Sequence, residues 1–124
     1  MELRDKMFEE AIGLKNSDKI DEAIEAFKRI TIEFNDDKIA PNKVAGLYYA
    51  NKDDPKSALP YAVKGTKLLP KSELASLCLF HCLYDLGKVE EAENEIKRYL
   101  SLGGKIKDYK ILFDENNLTA ADFT

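Results

Sequence analysis

Two stretches of the sequence, KIDEA at residues 19–23 and KVEEA at residues 88–92, match each other in residue type and spacing. Halfway between them lies a third stretch, DPKSA at residues 54–58. All three end in an alanine, and these alanines are 35 and then 34 residues apart: Ala23, Ala58 and Ala92. A period near 34 residues is the length of one helix–turn–helix unit, so the sequence predicts a helical repeat.

The apolar residues within each unit recur at helical spacing. Met7, Ala11 and Leu14 are separated by four and then three residues, and the stretch 20–30 repeats this pattern. Such a stripe is typical of an amphipathic helix that is buried on one side. We therefore predict three antiparallel helical hairpins, at about residues 4–37, 39–72 and 73–106.

The predicted helix ends carry recognisable signals. Asp54 and Ser72 are good N-cap residues, because their side-chain oxygens accept from backbone N–H groups that have no helical partner. Pro55 suits the first helical position, and Gly87 suits a turn. Pro60 falls inside a predicted helix, where it removes one backbone hydrogen bond and is expected to bend the helix.

A further apolar stripe follows the third unit and contains Ile106, Tyr109, Leu112 and Phe113. It predicts a seventh helix at about residues 105–115, which would cover the open apolar end of a stack. The tail, residues 116–124, is polar and expected to be loose, although Leu118 and Phe123 offer apolar side chains for docking. Alternating apolar–polar runs are absent, so we expect an all-α fold in a single domain spanning residues 1–124.

Composition narrows the class of partner. Apolar residues make up 44% of the chain, charged residues 34%, and the net charge is −4. The sequence has no cluster of lysine and arginine residues of the kind that binds nucleic acid. No apolar run approaches the roughly 20 residues of a membrane helix, and the N-terminus lacks the layout of a signal peptide. These features, with only two cysteines, lead us to expect a cytoplasmic protein.

The sequence resembles the tetratricopeptide repeat family over about residues 4–106. The three alanines match the small residue at which the helices of one repeat touch. The other matching residues are Gly46 with Ala11, Tyr49 with Leu14 and Leu83, Phe27, Gly87 and Pro70. Phe80 and Glu10 depart from the family pattern. The resemblance implies a right-handed α-α superhelix of three repeats with a capping helix.

In this family the first helix of each repeat lines a concave groove that binds protein segments. The resemblance implies that the groove is lined by Phe8, Ile12, Lys43, Leu47, Asn51, Leu77, His81 and Tyr84. The fifth helix is apolar on nearly every side and therefore needs a second cover. Members that clamp acidic chaperone tails need basic and amide residues where this chain has Phe8, Ile12, Leu74 and Cys78. We therefore do not expect clamp-type binding.

Only one group of side chains suggests metal or redox chemistry, namely Cys78, His81 and Cys82. His81 is the only histidine, and zinc prefers four ligands, or three with water. Two small cysteines among leucines are more simply explained as core residues. Acid pairs such as Glu90-Glu91 are explained by a solvated helix face. We predict no catalytic residue and no cofactor.

The sequence thus predicts a non-catalytic adaptor or scaffold that binds an apolar or amphipathic segment of another protein. Lys43, Asn51, His81 and Asp85 would set the direction of that segment. One alternative is a self-associating unit, such as a homodimer, whose groove is filled by its own tail or by a second copy. A remote alternative is a metal or redox protein centred on Cys78, His81 and Cys82.

Overall fold

The computed structural model describes residues 2–124, and these residues form seven α-helices, with no strand among them. The α-helices are α1 (Leu3–Asn16), α2 (Ile20–Glu33), α3 (Ala40–Gly46), α4 (Pro55–Leu68), α5 (Glu73–Asp85), α6 (Val89–Ser101) and α7 (Lys107–Glu115). A π-helical turn (Leu47–Asn51) follows α3, and a 3-10 turn (Ala120–Phe123) lies in the tail. The prediction of an all-α chain is confirmed. Within residues 2–124 no helix combines the length and apolarity needed to cross a membrane.

Consecutive helices pack against each other along the chain, from α1 on α2 through to α5 on α6. Ala23, Ala58 and Ala92 lie near the starts of α2, α4 and α6, and all three are fully buried. A larger side chain at such a contact would push the two helices apart, because protein interiors have no spare volume. The alanines therefore fix how closely paired helices approach.

Two clusters of buried side chains form the core. One lies among α1, α2 and α3 around Phe27, and the other lies among α3 to α7 around Tyr99. Tyr48 and Tyr61 pack against both clusters, and their ring centroids are 6.2 Å apart. This aromatic pair joins the N-terminal and C-terminal parts of the core.

The same turn geometry recurs between the helices of each predicted unit. Asp18, Asp53 and Gly87 have φ angles of 60°, 49° and 78°, and they are 35 and 34 residues apart. This left-handed conformation reverses the chain at a helix end and suits glycine best. The N–H of Lys19 donates to the carbonyl of Leu14, and Lys88 donates to Leu83 in the same way, each at 2.9 Å. The predicted turn at Gly87 is confirmed.

The second unit differs from the others by one residue in this turn. Here the N–H of Asp54 donates to the carbonyl of Tyr48, six residues back instead of five. The N–H of Lys52 reaches the carbonyl of Leu47, five residues back, which is the π-helical pattern. The π turn therefore holds the extra residue that makes the first alanine spacing 35 and the second 34. The first helix of this unit is therefore α-helical only as far as Gly46 and continues to Asn51 as the π turn.

The predicted N-caps are confirmed, and Pro60 is accommodated. The Asp54 carboxylate accepts from the N–H of Ser57 at 3.1 Å, and the Ser72 hydroxyl accepts from the N–H of Ala75 at 3.2 Å. α4 continues through Pro60 as a single helix. Pro60 lies on the exposed side of α4, where water can replace the backbone partner that its ring removes.

α7 is fastened to α5 by polar contacts. The Glu73 carboxylate accepts from the N–H groups of Asp108 and Tyr109, each at 2.9 Å, at the N-terminus of α7. The buried Tyr109 hydroxyl lies 2.7 Å from Ser76 Oγ, which donates to Glu95 at 2.6 Å. Because an unpaired buried polar group is costly, this network fixes α7 in one position.

The tail also has a defined place. The Phe123 ring stacks on the Phe113 ring of α7, with centroids 5.2 Å apart and planes 20° apart. Thr119 and Asp122 close a reciprocal capping box at the start of the 3-10 turn. The sequence left docking of Phe123 open, and the structure shows that it docks.

We predict that deletion of Ala50 in the π turn is tolerated, because Ala50 is exposed, with the free energy of unfolding changed by about 0.5 kcal/mol or less, as is typical of exposed sites. The deletion leaves the five-residue connection that the other two units use. Urea denaturation measures the effect.

Deletion of the exposed Glu93 from α6 is the matched control. It rotates part of that helix by about 100° and moves Glu91 towards the buried site of Ala92. A loss of roughly 3 kcal/mol or more is expected, because a charge is buried without a partner. Equal losses for both deletions would contradict the assignment of the extra residue to the π turn.

Candidate functional site

α5 carries apolar side chains on nearly every side, so part of its apolar surface remains open after the core is filled. The side chains of α5 that face the core are buried; they are Ala75, Ser76, Leu79, Phe80, Cys82 and Leu83. On its other sides Leu77 and His81 are half-buried, and Tyr84 is 54% exposed. We call Leu77, His81, Tyr84 and the exposed Asp85 the α5 surface.

The π turn brings one tyrosine onto this surface. The Tyr49 ring stacks on the His81 ring, with centroids 5.8 Å apart and planes 20° apart. Its hydroxyl donates to Asp85 Oδ2 at 2.7 Å. Tyr49 therefore links the end of α3 to the C-terminal half of α5.

The extra residue changes which α3 side chains correspond to the groove positions of α1 and α5. The carbonyl that accepts the turn hydrogen bond belongs to Leu14, Tyr48 and Leu83 in the three units. Phe8 and Leu77 lie six residues before this carbonyl, and the equivalent residue of the second unit is Asn42, not Lys43. Ile12 and His81 lie two residues before it, and their equivalent is Gly46, not Leu47. Leu47 is accordingly only 3% exposed and belongs to the N-terminal core, where it offers no surface to a partner.

The other predicted groove residues differ in how far their side chains are exposed. Lys43 and Asn51 are exposed, and Ile12 is 43% exposed on α1. Phe8 is half-buried and meets Phe27 edge-to-face at 6.0 Å, so it belongs partly to the core. Of the eight predicted residues, the structure brings His81 and Tyr84 together in the wall of one cavity.

That cavity has a volume of about 360 Å³ and opens between α5, α6, α7 and the tail. Its walls are mainly apolar and aromatic. The side chains that form them are Phe80, His81, Tyr84, Asp85, Val89, Glu93, Ile96, Leu112, Phe113, Asn116, Leu118 and Phe123. A concave apolar site with a few polar groups is the usual form of a binding pocket.

Burial controls the charge of the groups around Tyr49. The pKa of His81 is lowered, because burial disfavours the imidazolium more than nearby Asp85 favours it. The pKa of Tyr49 is raised by burial and by the hydrogen bond to Asp85. Near neutral pH His81 and Tyr49 are therefore uncharged, and Tyr49 acts as a hydrogen-bond donor. A phenol with a raised pKa is a poor general acid and supplies no nucleophile at this pH.

Cys78 and Cys82 are the two residues that were considered together with His81 as metal ligands. Cys82 is buried and Cys78 half-buried, and both are free thiols. The hydrogen bond with Cys78, together with burial, raises the pKa of the Cys82 thiol, which keeps it protonated. Over residues 2–124, no group of three or more His, Cys, Asp or Glu side chains is arranged to hold a metal ion.

Sequence reasoning missed the contribution of Tyr49 to the α5 surface and the α6 and α7 walls of the cavity. The unequal alanine spacing of 35 and 34 residues was the available signal for the shifted α3 register. No family model matches the chain, and no curated protein sequence matches it.

We predict that His81 makes stability depend on pH. Its folded-state pKa is below the unfolded value of about 6.5, so the unfolded chain binds more protons as the pH falls. Wild type should therefore lose stability relative to the His81→Gln variant between pH 7.5 and 5.5. Urea denaturation of both proteins at each pH measures this difference. If the free energy of unfolding of wild type minus that of the variant stays constant or rises as the pH falls, the burial of a neutral His81 is contradicted.

Proposed function

We propose that the chain is a tetratricopeptide-like stack of three antiparallel helical hairpins, wound as a right-handed superhelix and capped by α7. The recurring left-handed turns at Asp18, Asp53 and Gly87 support this arrangement. So do the three fully buried alanines at the same place in each unit. A repeat stack presents one face of its first helices along its length, which suits binding of an extended or helical segment.

In this proposal the chain is a non-catalytic adaptor or scaffold that holds a segment of another protein. The observation that carries it is the open apolar surface around the cavity. Tyr84, Val89 and Leu118 are 54%, 45% and 36% exposed at its mouth. Contiguous apolar surface around a concave site is characteristic of protein interfaces, whose centres are enriched in tyrosine and other aromatic residues.

Ile12 on α1 is the residue equivalent to His81 and would add apolar area to the same face of the first helices. Lys43 on α3 and Asn51 in the π turn are exposed, and in this proposal they would make polar contacts at the side of a bound segment. Free cysteines on α5 fit a reducing compartment such as the cytoplasm.

Self-association through the tail or a second copy is the competing proposal. The tail already has a docking place, since Phe123 stacks on Phe113 and forms a wall of the cavity. Tyr84 remains 54% exposed in that arrangement. The tail therefore leaves the α5 surface available to another molecule.

We predict that Tyr84→Ala removes most partner binding while leaving the fold intact, because it deletes the exposed ring from the middle of the apolar surface. The measurement is quantitative affinity capture from native lysate with wild type and variant, after their melting curves have been shown to agree. At a central interface residue the loss is on the order of tenfold or more.

The matched control is Ile32→Ala on α2, which truncates a side chain that is 78% exposed and lies outside the α5 surface. It should recover the same proteins as wild type. Capture profiles that Tyr84→Ala leaves unchanged would refute the proposed surface. A concentration-dependent dimer that Tyr84→Ala breaks would instead support self-association.

A further inference from the structure

The cavity beside α5 is negatively charged as well as apolar. Asp85 and Glu93 reach it, and no lysine or arginine of residues 2–124 lines it. Neither carboxylate takes part in an ion pair within this part of the chain. Asp85 accepts a hydrogen bond from the Tyr49 hydroxyl, but a phenol carries no charge and leaves the negative charge in place. Among the described wall residues only His81 could become positively charged, and burial lowers its pKa and so favours the neutral imidazole.

The apolar walls are arranged as two aromatic pairs. Phe80 stacks on Tyr84 within α5, with centroids 5.8 Å apart, and Phe113 stacks on Phe123 on the α7 side. A volume of about 360 Å³ lies at the lower end of the range for ligand pockets, so it suits a bulky side chain. An apolar group can fill the space between the rings while a positive group stays at the mouth.

The size of the open surface favours a protein segment over a small molecule. Val89 and Tyr84 are 45% and 54% exposed on α6 and α5, at the edge of the cavity. A small ligand inside the cavity would cover only the parts of these side chains that face it and would leave their outer parts in water. A peptide segment that enters with one side chain covers them with its neighbouring residues.

A second copy of this chain fits the charge poorly. The net charge is −4, and a symmetric contact centred here would bring Asp85 and Glu93 close to their own copies. Like charges placed against each other across an interface oppose association. A positively charged partner would instead be attracted by Asp85 and Glu93.

We infer that the cavity takes a segment of another protein that inserts a large apolar side chain and places an adjacent lysine or arginine beside Asp85 and Glu93. This inference rests on the proposed protein-binding function and names the chemistry of its partner. The exposed face of Tyr84 adds a cation–π contact for the same basic side chain.

A random peptide library displayed on phage, selected against the full chain, tests the inference. The enriched peptides should share a large apolar residue next to a lysine or arginine. A synthetic peptide of that sequence is then titrated against wild type and the Asp85→Asn/Glu93→Gln double variant, which removes both charges and keeps the shapes and the Tyr49 acceptor. Binding should weaken about fivefold or more, as expected for the loss of two partly exposed ion pairs, and should weaken with salt in wild type.

Glu90→Gln is the matched control, because Glu90 is exposed on α6 and lies outside the cavity wall. It should bind the peptide as wild type does. Enriched peptides that lose binding with Tyr84→Ala but carry no basic residue, or that bind the double variant equally well, would overturn the charge selection and leave the protein-binding function standing. If no peptide depends on Tyr84, both proposals fail.

Discussion

The close approach of paired helices at Ala23, Ala58 and Ala92 is the constraint on which the other features depend. All three side chains are fully buried, and each follows a left-handed turn by five residues. The turn sets where the second helix of a pair begins, and the alanine sets how near it lies to the first. With these two elements repeated, α5 is held between α4 and α6 by the same local chemistry that holds the earlier helices. The contacts with α4 and α6 therefore fix the position of its remaining apolar surface.

The π turn adds polar contacts to this surface. It takes up a single extra residue and lets both Val44 of α3 and its own Leu47 stay buried. It also directs Tyr49 towards α5, where it stacks on His81 and donates to Asp85. π-helical turns often occur at functional sites, because they change the direction of side chains without breaking the helix. At the other end of the site, the contacts of Glu73 and Tyr109 fix α7 and so complete the cavity.

Much of the fold was predictable because it is encoded locally. The N-caps at Asp54 and Ser72 and the turn at Gly87 each depend on residues close in sequence, and each is confirmed. The α3 register was not predictable in the same way, because Gly46 and Ala45 are both small and either fits beside a neighbouring helix. The cavity was also missed, since its walls come from α5, α6, α7 and the tail, and only packing brings Phe123 to Phe113. Side-chain periodicity identifies which face of a helix is apolar but not which distant residues it meets.

The most direct test of the account is the free energy of unfolding of three variants, Ala23→Leu, Ala58→Leu and Ala92→Leu, measured by urea denaturation. Each should be destabilised by about 1–3 kcal/mol, because the added methylenes overpack a helix contact that has no free volume. The same change at the exposed Ala121 should have an effect within about 0.5 kcal/mol. A wild-type unfolding midpoint for any of the three buried variants would contradict the close helix approach on which the placement of α5 depends.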